Sequence, residues 1–288
     1  MIDALRDADV AIIGLGVIGG SAALRVRERG TLVRSYSTST VDCEEAARAG
    51  LTVASSLEDA VRDAGLVLIA VPLDRIAAVA DEVMDAAPRG ATILHAGSLQ
   101  RMEALQFVPE HAARVIGTHP FAGSHRSGFS AARSDLFRDA TVFVEQRATA
   151  RQREDAELFW SLAGARRIEY LQAAAHDDAM AWMSHLPQLA STALGATLAD
   201  AALAESDSTP VTAGPGARDA TRLAMSALAM WRPLLERAPG ATLAALDALE
   251  AHIHRLRIAL DKQDWRSVGE LWARAGEWRS RIEQGEGR

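Results

Sequence analysis

Val10-Ala11-Ile12-Ile13-Gly14-Leu15-Gly16-Val17-Ile18-Gly19-Gly20 is the stretch on which the fold turns. Four apolar residues in a row read as a short buried strand. They run directly into a glycine turn, and the turn opens onto an alanine- and leucine-bearing stretch that reads as a helix. The three spaced glycines have separate physical tasks. Gly14 permits a tight turn, Gly16 lets the backbone approach a pyrophosphate, and Gly19 lets helix and strand pack closely. The first turn of the helix offers unpaired N–H groups and positive potential to an anion. Gly14, Leu15, Gly16, Val17, Ile18 and Gly19 are therefore the expected lining of a dinucleotide phosphate site.

Working outward, β-type runs alternate with helical runs. Leu32 to Tyr36, Leu66 to Val71, Thr92 to Leu94 and Val115 to Gly117 read as further strands, with Thr141 to Val144 and Arg167 to Tyr170 completing a sheet. Strand–helix–strand alternation implies a parallel sheet covered on both faces. Val71 and Pro72, at the end of the third run, are expected beside the cofactor. From about Ala173 onward Ala, Leu and Met recur at helical spacing and no strand is evident. The predicted architecture is α/β: an N-terminal Rossmann-type doubly wound parallel sheet over residues 1–171, then an all-helical dimerisation domain over 172–288. Five of the six tryptophans fall in the helical half, where they are expected to pack helices together. Long apolar helices of this kind carry more surface than a small bundle buries, which points to a homodimer.

The second strand bears on the choice of dinucleotide. An acidic residue about 20 positions beyond the glycines binds a ribose 2′-hydroxyl in NAD-dependent proteins. That place falls at Ser37, beside Thr38, in a run of hydroxyl residues without a carboxylate. The reading favours NADP over NAD, with Arg34 a neighbour of the 2′-phosphate unless strand alternation points it away. The alternative is a polar turn in which Asp42 or Glu44 contacts the ribose.

Composition narrows the function. Hydrophobic residues make up 49% and charged residues 24%, an ordinary globular balance. The net charge of −7 without basic blocks argues against nucleic acid as a partner. No run reaches the roughly 18 apolar residues of a membrane span. The N-terminus lacks a signal-peptide core. A single cysteine, Cys43, fits a reducing compartment, so a cytoplasmic location is expected. Lysine occurs once, at Lys262, so a mechanism built on a lysine has one candidate. No metal is assigned.

Two strand ends carry candidate chemistry, since ligands of open α/β sheets bind outside the carboxyl ends of the strands. One is His95-Ala96-Gly97-Ser98. The other is Gly117-Thr118-His119-Pro120-Phe121-Ala122-Gly123-Ser124. A histidine there can accept an alcohol proton while hydride leaves the same carbon. By spacing alone, His119 is equally readable as a base or as a satisfied structural histidine.

Gly117 to Gly123 resembles the histidine loop of the prephenate/arogenate dehydrogenases. Further pieces match that family in order: Ala96-Gly97-Ser98, His176-Asp177, Ser184-His185-Leu186-Pro187, Gly216 to Arg222, and Trp231. The resemblance implies His119 as the catalytic base and Ser98 as the residue that bonds both the ring hydroxyl and that histidine. It implies Arg222 as the grip on a substrate carboxylate, and Arg218 with Asp219 as a charged pair at the entrance. Gln188, His185 and Trp231 fall in the substrate-binding segments. The implied reaction is oxidative decarboxylation of prephenate in tyrosine biosynthesis, with a cyclohexadienyl carboxylate as the small-molecule partner. Arogenate and a ring 4-amino analogue are alternative substrates. Departures are His95 and Gln100 where the family commonly has Asp and Lys, His125 where it is often acidic, and Gln188 where it has histidine. A β-hydroxyacid dehydrogenase and a catalytically silent NADP sensor remain as competing readings of the same two-part plan.

Overall fold

The computed structural model describes residues 9–123, 126–204 and 213–284. Its centre is an eight-stranded sheet in the order β3-β2-β1-β4-β5-β6-β7-β8. The strands are β1 (Asp9–Ile13), β2 (Val33–Tyr36), β3 (Thr52–Val53), β4 (Ala64–Ile69), β5 (Thr92–His95), β6 (Val115–Pro120), β7 (Thr141–Glu145) and β8 (Arg167–Leu171). The order reverses between β1 and β4, which makes the crevice above those two strands the switch point of a doubly wound sheet.

Side chains alternate across the sheet as the two-residue period demands. Val10, Ile12, Leu66, Leu68, Leu94, Ile116, Val142 and Val144 form one core with helix α1 (Val17–Glu28) and the helix Ala150–Ala163. Ala11, Ile13, Val67, Ile69, Ile93 and Val115 form the other, under the helices Leu57–Val61 and Ile76–Ala86. The helix Ala150–Ala163 shows how local chemistry sets an element. Thr149 accepts the N–H of Gln152, whose side chain takes the N–H of Thr149 in return. Gly164, at φ 104°, ends the helix in a conformation that suits glycine. Inside, Trp160 stands edge-on to Phe137 and Phe159 and is fully buried.

Parallel pairing dominates the sheet, as expected, and one step runs in the other sense. The sheet is not wholly parallel: β7 runs antiparallel to β6, pairing Phe143 with His119, while β8 is again parallel to β7. A parallel step needs a crossover, usually a helix. Among the described residues the connection from β6 to β7 has only the short 3₁₀ turn Phe129–Ala131, so the chain returns in the opposite sense. The strand limits also shift. His95 and His119 lie within β5 and β6 rather than in the loops that follow.

Beyond β8 every described element is helical. The helix Ala173–Met180 passes through a π turn, Ala181–His185, into Leu186–Ala204, and Pro215–Thr221 and Leu228–Arg237 follow. The chain divides into two compact units, Met1–Pro239 and Gly240–Arg288. The second holds almost all of the helix Pro239–Asp261, and the helix Trp265–Glu283, which Asp264 caps by accepting the N–H of Ser267. The tryptophans do not behave as expected within one copy. Of the five in the helical half, Trp182, Trp265, Trp272 and Trp278 are exposed by 43%, 67%, 74% and 50%, and only Trp231 packs into a core cluster. No helix among the described residues is long and apolar enough to cross a membrane.

Candidate active site

The glycine turn has a geometry that only glycine satisfies. Gly14 has φ 100°, and a Cβ there would lie 2.5 Å from the carbonyl oxygen of Ala70. Val71 and Pro72 continue from Ala70 along the rim of the same crevice. A Cβ on Gly19 would lie 1.9 Å from the carbonyl oxygen of Gly14, so helix α1 rests directly on the turn. Gly16 differs, having nothing within 4 Å of where its Cβ would be. Gly16 caps α1 without a side-chain hydrogen bond, and Val17 and Ile18 beside it are half-buried. An open space faced by unpaired helix N–H groups fits the pyrophosphate of a dinucleotide.

The segment after β2 is the expected ribose end. Ser37 Oγ accepts the N–H of Ser39, and Ser39 in turn caps helix α2 (Thr40–Arg48). Thr38, between them, is exposed. Asp42 is committed elsewhere: its carboxylate accepts the N–H of Phe129 at 2.8 Å. Arg34 is corrected as a neighbour of a 2′-phosphate. It bonds Asp9 at 3.0 Å and Asp63 at 3.2 Å. Strand pleating accounts for this, since alternate residues of β2 point to opposite faces.

The carboxyl ends of β4, β5 and β6 follow one another along the sheet, and the histidine site lies at the last. Adjacent strands are about 4.8 Å apart, so β6 stands about 14 Å from β1, a distance a dinucleotide spans. His119, half-buried near the end of β6, directs Nδ1 to Nε2 of His176 at 3.0 Å. His176 directs Nδ1 to Asp177 at 2.8 Å. The Asp177 carboxylate also accepts the backbone N–H groups of Gln100 and Arg101, at 2.8 and 3.0 Å. Those two residues close the loop that carries half-buried Ser98. Gln100 also donates its side-chain amide to the carbonyl of Phe143 at 2.9 Å. Phe121, Phe143 and His176 stand around the His119 ring with centroids 6.1, 6.5 and 5.1 Å away.

Burial, then the imidazoles of His176, His95 and His185, press the pKa of His119 down to about 3. His119 is therefore neutral at ordinary pH and able to accept a proton. His95 is corrected as a residue facing the cofactor. It is fully buried, its Nδ1 accepts the N–H of Gly97 at 3.2 Å, and burial followed by the nearby Arg147 lowers its pKa to about 3. Its task is to shape the loop that leads to Ser98. His125 lies outside the described residues.

The helical segments supply the remaining candidates. His185 is buried at the end of the π turn, edge-on to Trp231 at 6.2 Å, and burial lowers its pKa to about 4. Gln188, one turn on and 5% exposed, donates its amide to the carbonyl of Leu223 at 2.9 Å. Leu223 follows Arg222, so that bond ties Gln188 to the arginine segment. Arg222, Arg218 and Asp219 are exposed, and Arg222 has no ion-pair partner among the described residues. Sequence reasoning missed the parts played by His176, Asp177 and the two phenylalanines. The adjacent His-Asp pair was the available signal, but nothing local joins it to a strand 57 residues earlier. Among the described residues no cluster of His, Cys, Asp and Glu has the makings of a metal site.

Comparison with known proteins agrees with this geometry. The profile described as prephenate dehydrogenase, nucleotide-binding domain, matches residues 22–169, and that described as prephenate dehydrogenase, dimerization domain, matches residues 172–273. The cyclohexadienyl dehydrogenase of Zymomonas mobilis is 33% identical over 268 residues, covering 88% of this chain and 89% of its own. The prephenate dehydrogenase of Lactococcus lactis is 28% identical, over 90% of this chain and 73% of its own. A crystal structure of the A. aeolicus prephenate dehydrogenase, in complex with hydroxyphenyl propionate and NAD+, superposes with a TM-score of 0.85 at 22% identity, covering 97% of this chain and 99% of that one. A nucleotide-binding sheet, a histidine at its carboxyl edge and matches across both halves together establish that this chain belongs to the prephenate dehydrogenase family and is an NAD(P)-dependent dehydrogenase.

Proposed function

We propose that this protein catalyses the oxidative decarboxylation of prephenate to 4-hydroxyphenylpyruvate, a step of tyrosine biosynthesis, with NADP as the preferred acceptor. The observation that carries the reading is the placement of neutral His119 at the carboxyl edge of β6, along the line of strand ends that begins at the glycine turn. His119 takes the proton of the ring C4 hydroxyl, and Ser98 orients that hydroxyl. A bound nicotinamide accepts the hydride from the same carbon. Arg222 grips a carboxylate, a task that suits a planar cation with paired donors. Arg218 lies at the entrance, and His185, Gln188 and Trp231 complete the wall. Loss of carbon dioxide then aromatises the ring, so orientation and one base suffice.

NADP is favoured because Ser37 and Thr38 stand where a carboxylate would repel a 2′-phosphate, and Asp42 is engaged by Phe129. Residues 1–171 are assigned to the dinucleotide and 172–288 to the substrate and to pairing of two copies in the cytoplasm. The decisive assay follows nicotinamide reduction with prephenate and arogenate side by side, each with NAD and with NADP. Absence of turnover with every pair would leave a binding protein and end the proposal.

A second substrate, arogenate, is favoured by one detail. Leu223 takes the amide hydrogen of Gln188, which leaves the Gln188 carbonyl oxygen buried without a partner. A buried acceptor of that kind suits an ammonium group on the substrate side chain. A higher kcat/KM with arogenate than with prephenate would select this reading.

A further inference from the structure

His176 is wholly buried between Asp177 and His119, with one ring nitrogen on each. We propose that His176 is the final acceptor of the proton that His119 takes from the substrate, so that the base is a two-histidine relay closed by the Asp177 carboxylate. The inference rests on the assignment of His119 made above and extends it to a second proton carrier.

With both rings neutral and Asp177 ionised, the hydrogen bonds assign one resting place to each proton. The Asp177 carboxylate can only accept, and it already accepts from Gln100 and Arg101. Its bond to His176 therefore places a hydrogen on Nδ1 of His176. Neutral His176 then has a bare Nε2, which accepts from Nδ1 of His119 at 3.0 Å. His119 in turn is left with a bare Nε2, the nitrogen free for a substrate proton. One tautomer of each ring satisfies the whole chain of bonds.

Charge supplies the second half. A proton arriving at Nε2 makes His119 an imidazolium in poor surroundings. Around it stand the imidazoles of His176, His95 and His185, the rings of Phe121 and Phe143, and burial. Beyond His95 lies the guanidinium of Arg147, paired with the Glu145 carboxylate, while Arg101 at the end of the Ser98 loop is paired with Asp178. Passing the Nδ1 proton to Nε2 of His176 moves the charge to a ring bonded directly to a carboxylate. The step balances. The substrate O–H bond breaks as His119 gains a hydrogen on Nε2. The His119 Nδ1–H bond breaks as His176 gains one on Nε2. His119 ends neutral in its other tautomer, and His176 ends as an imidazolium paired with Asp177.

The test compares wild type with His176→Gln and Asp177→Asn. In H₂O–D₂O mixtures the wild-type hydride step should show a curved proton inventory, because two protons move together. His176→Gln keeps an acceptor for the Nδ1–H of His119 but cannot take its proton. The inventory should become linear and kcat fall about 10- to 100-fold with KM little changed. A residue with a merely structural task would leave the curvature intact. Asp177→Asn should lower kcat and move the acid limb to lower pH, since the relay loses its carboxylate. A linear wild-type inventory, or curvature that survives His176→Gln, overturns the proposal. If His176→Gln does not fold, an unmoved acid limb in Asp177→Asn does so. ¹⁵N-histidine spectra of the substrate-free protein should show hydrogen on Nδ1 of both rings. His119 carrying its hydrogen on Nε2 would overturn the relay whatever the substrate proves to be, and turnover of no cyclohexadienyl acid would count against the reaction alone.

Discussion

A Cβ on Gly19 would come within 1.9 Å of the carbonyl oxygen of Gly14, whereas one on Gly16 would meet nothing within 4 Å. The two glycines therefore fail differently when replaced by alanine. Gly19→Ala forces α1 off the turn and should cost about 1–3 kcal/mol of stability, the range for overpacking. Gly16→Ala should leave thermal stability within a degree or so of wild type and weaken dinucleotide binding instead. Equal melting temperatures for both variants would show that the turn is not packed as described.

The ribose end gives a second test. With Arg34 held by Asp9 and Asp63, hydroxyls and backbone at Ser37–Thr40 are left to meet a 2′-phosphate. Ser37→Asp introduces a charge that repels the phosphate and suits a free 2′-hydroxyl. The ratio of kcat/KM for NADP to that for NAD should fall by on the order of 10-fold or more, as like-charge discrimination of more than about 1.4 kcal/mol implies. An unchanged ratio would place the ribose elsewhere.

Three histidines that the fold keeps neutral make stability depend on pH. His95 and His119 are held at about 3 and His185 at about 4, all below the ordinary 6.5. The unfolded chain therefore binds protons that the folded chain refuses, and stability falls as pH drops below 6.5. Between pH 6.5 and about 5, where carboxylates stay ionised, the slope should exceed about 1.4 kcal/mol per pH unit, more than one proton per chain. Urea titrations at several pH values measure it directly. A flat profile would mean that these rings are charged or exposed in the folded protein.

Much of the fold was legible because its signals are local. Val10 to Ile13 running into Gly14-x-Gly16 announces a strand, a turn and a helix within eleven residues. What escaped was relational. Thr141 to Val144 is a plain apolar run, and such a run does not state its direction, so the antiparallel β7 was missed. Thr118-His119-Pro120 reads as loop, yet pairing with β7 draws it into β6. β3 is two residues long, too short for any period. The bond from His176 to His119 depends on how a helix lies against a strand, which no spacing encodes. His119, Ser98, Gln188 and Arg222 were named through family resemblance, and spacing alone left each of them open.

The exposed tryptophans carry a prediction of their own. Trp265, Trp272 and Trp278 lie along one helix, exposed by half or more, with Leu243, Ile253 and Leu260 similarly bare on the helix before it. Apolar surface on this scale marks an interface. Sedimentation should give a homodimer at micromolar concentration, and Trp272→Glu should shift it toward monomer. A wild-type chain that sediments as a monomer at every concentration would refute the pairing.

His119 and Arg222 should fail in opposite ways. His119→Asn keeps a polar side chain but removes the ring nitrogen proposed to take the hydroxyl proton near neutral pH. Its loss should lower kcat by on the order of 10²–10⁴, the usual range for a general base, with KM little changed. The wild-type acid limb should lie below the ordinary histidine value, because burial and neighbouring imidazoles disfavour the charged ring. His119→Asn should lack that limb. Arg222 is exposed and without an ion-pair partner among the described residues, so it is a cation ready for a carboxylate. A charge-assisted contact contributes about 1.5–3 kcal/mol, so Arg222→Ala should raise KM on the order of 10- to 100-fold while kcat changes far less. Arg222→Lys should recover part of the loss, since it restores the charge but not the paired donors. If His119→Asn keeps most of its turnover, or the same acid limb, the base is another residue, and buried His185 is the next to replace.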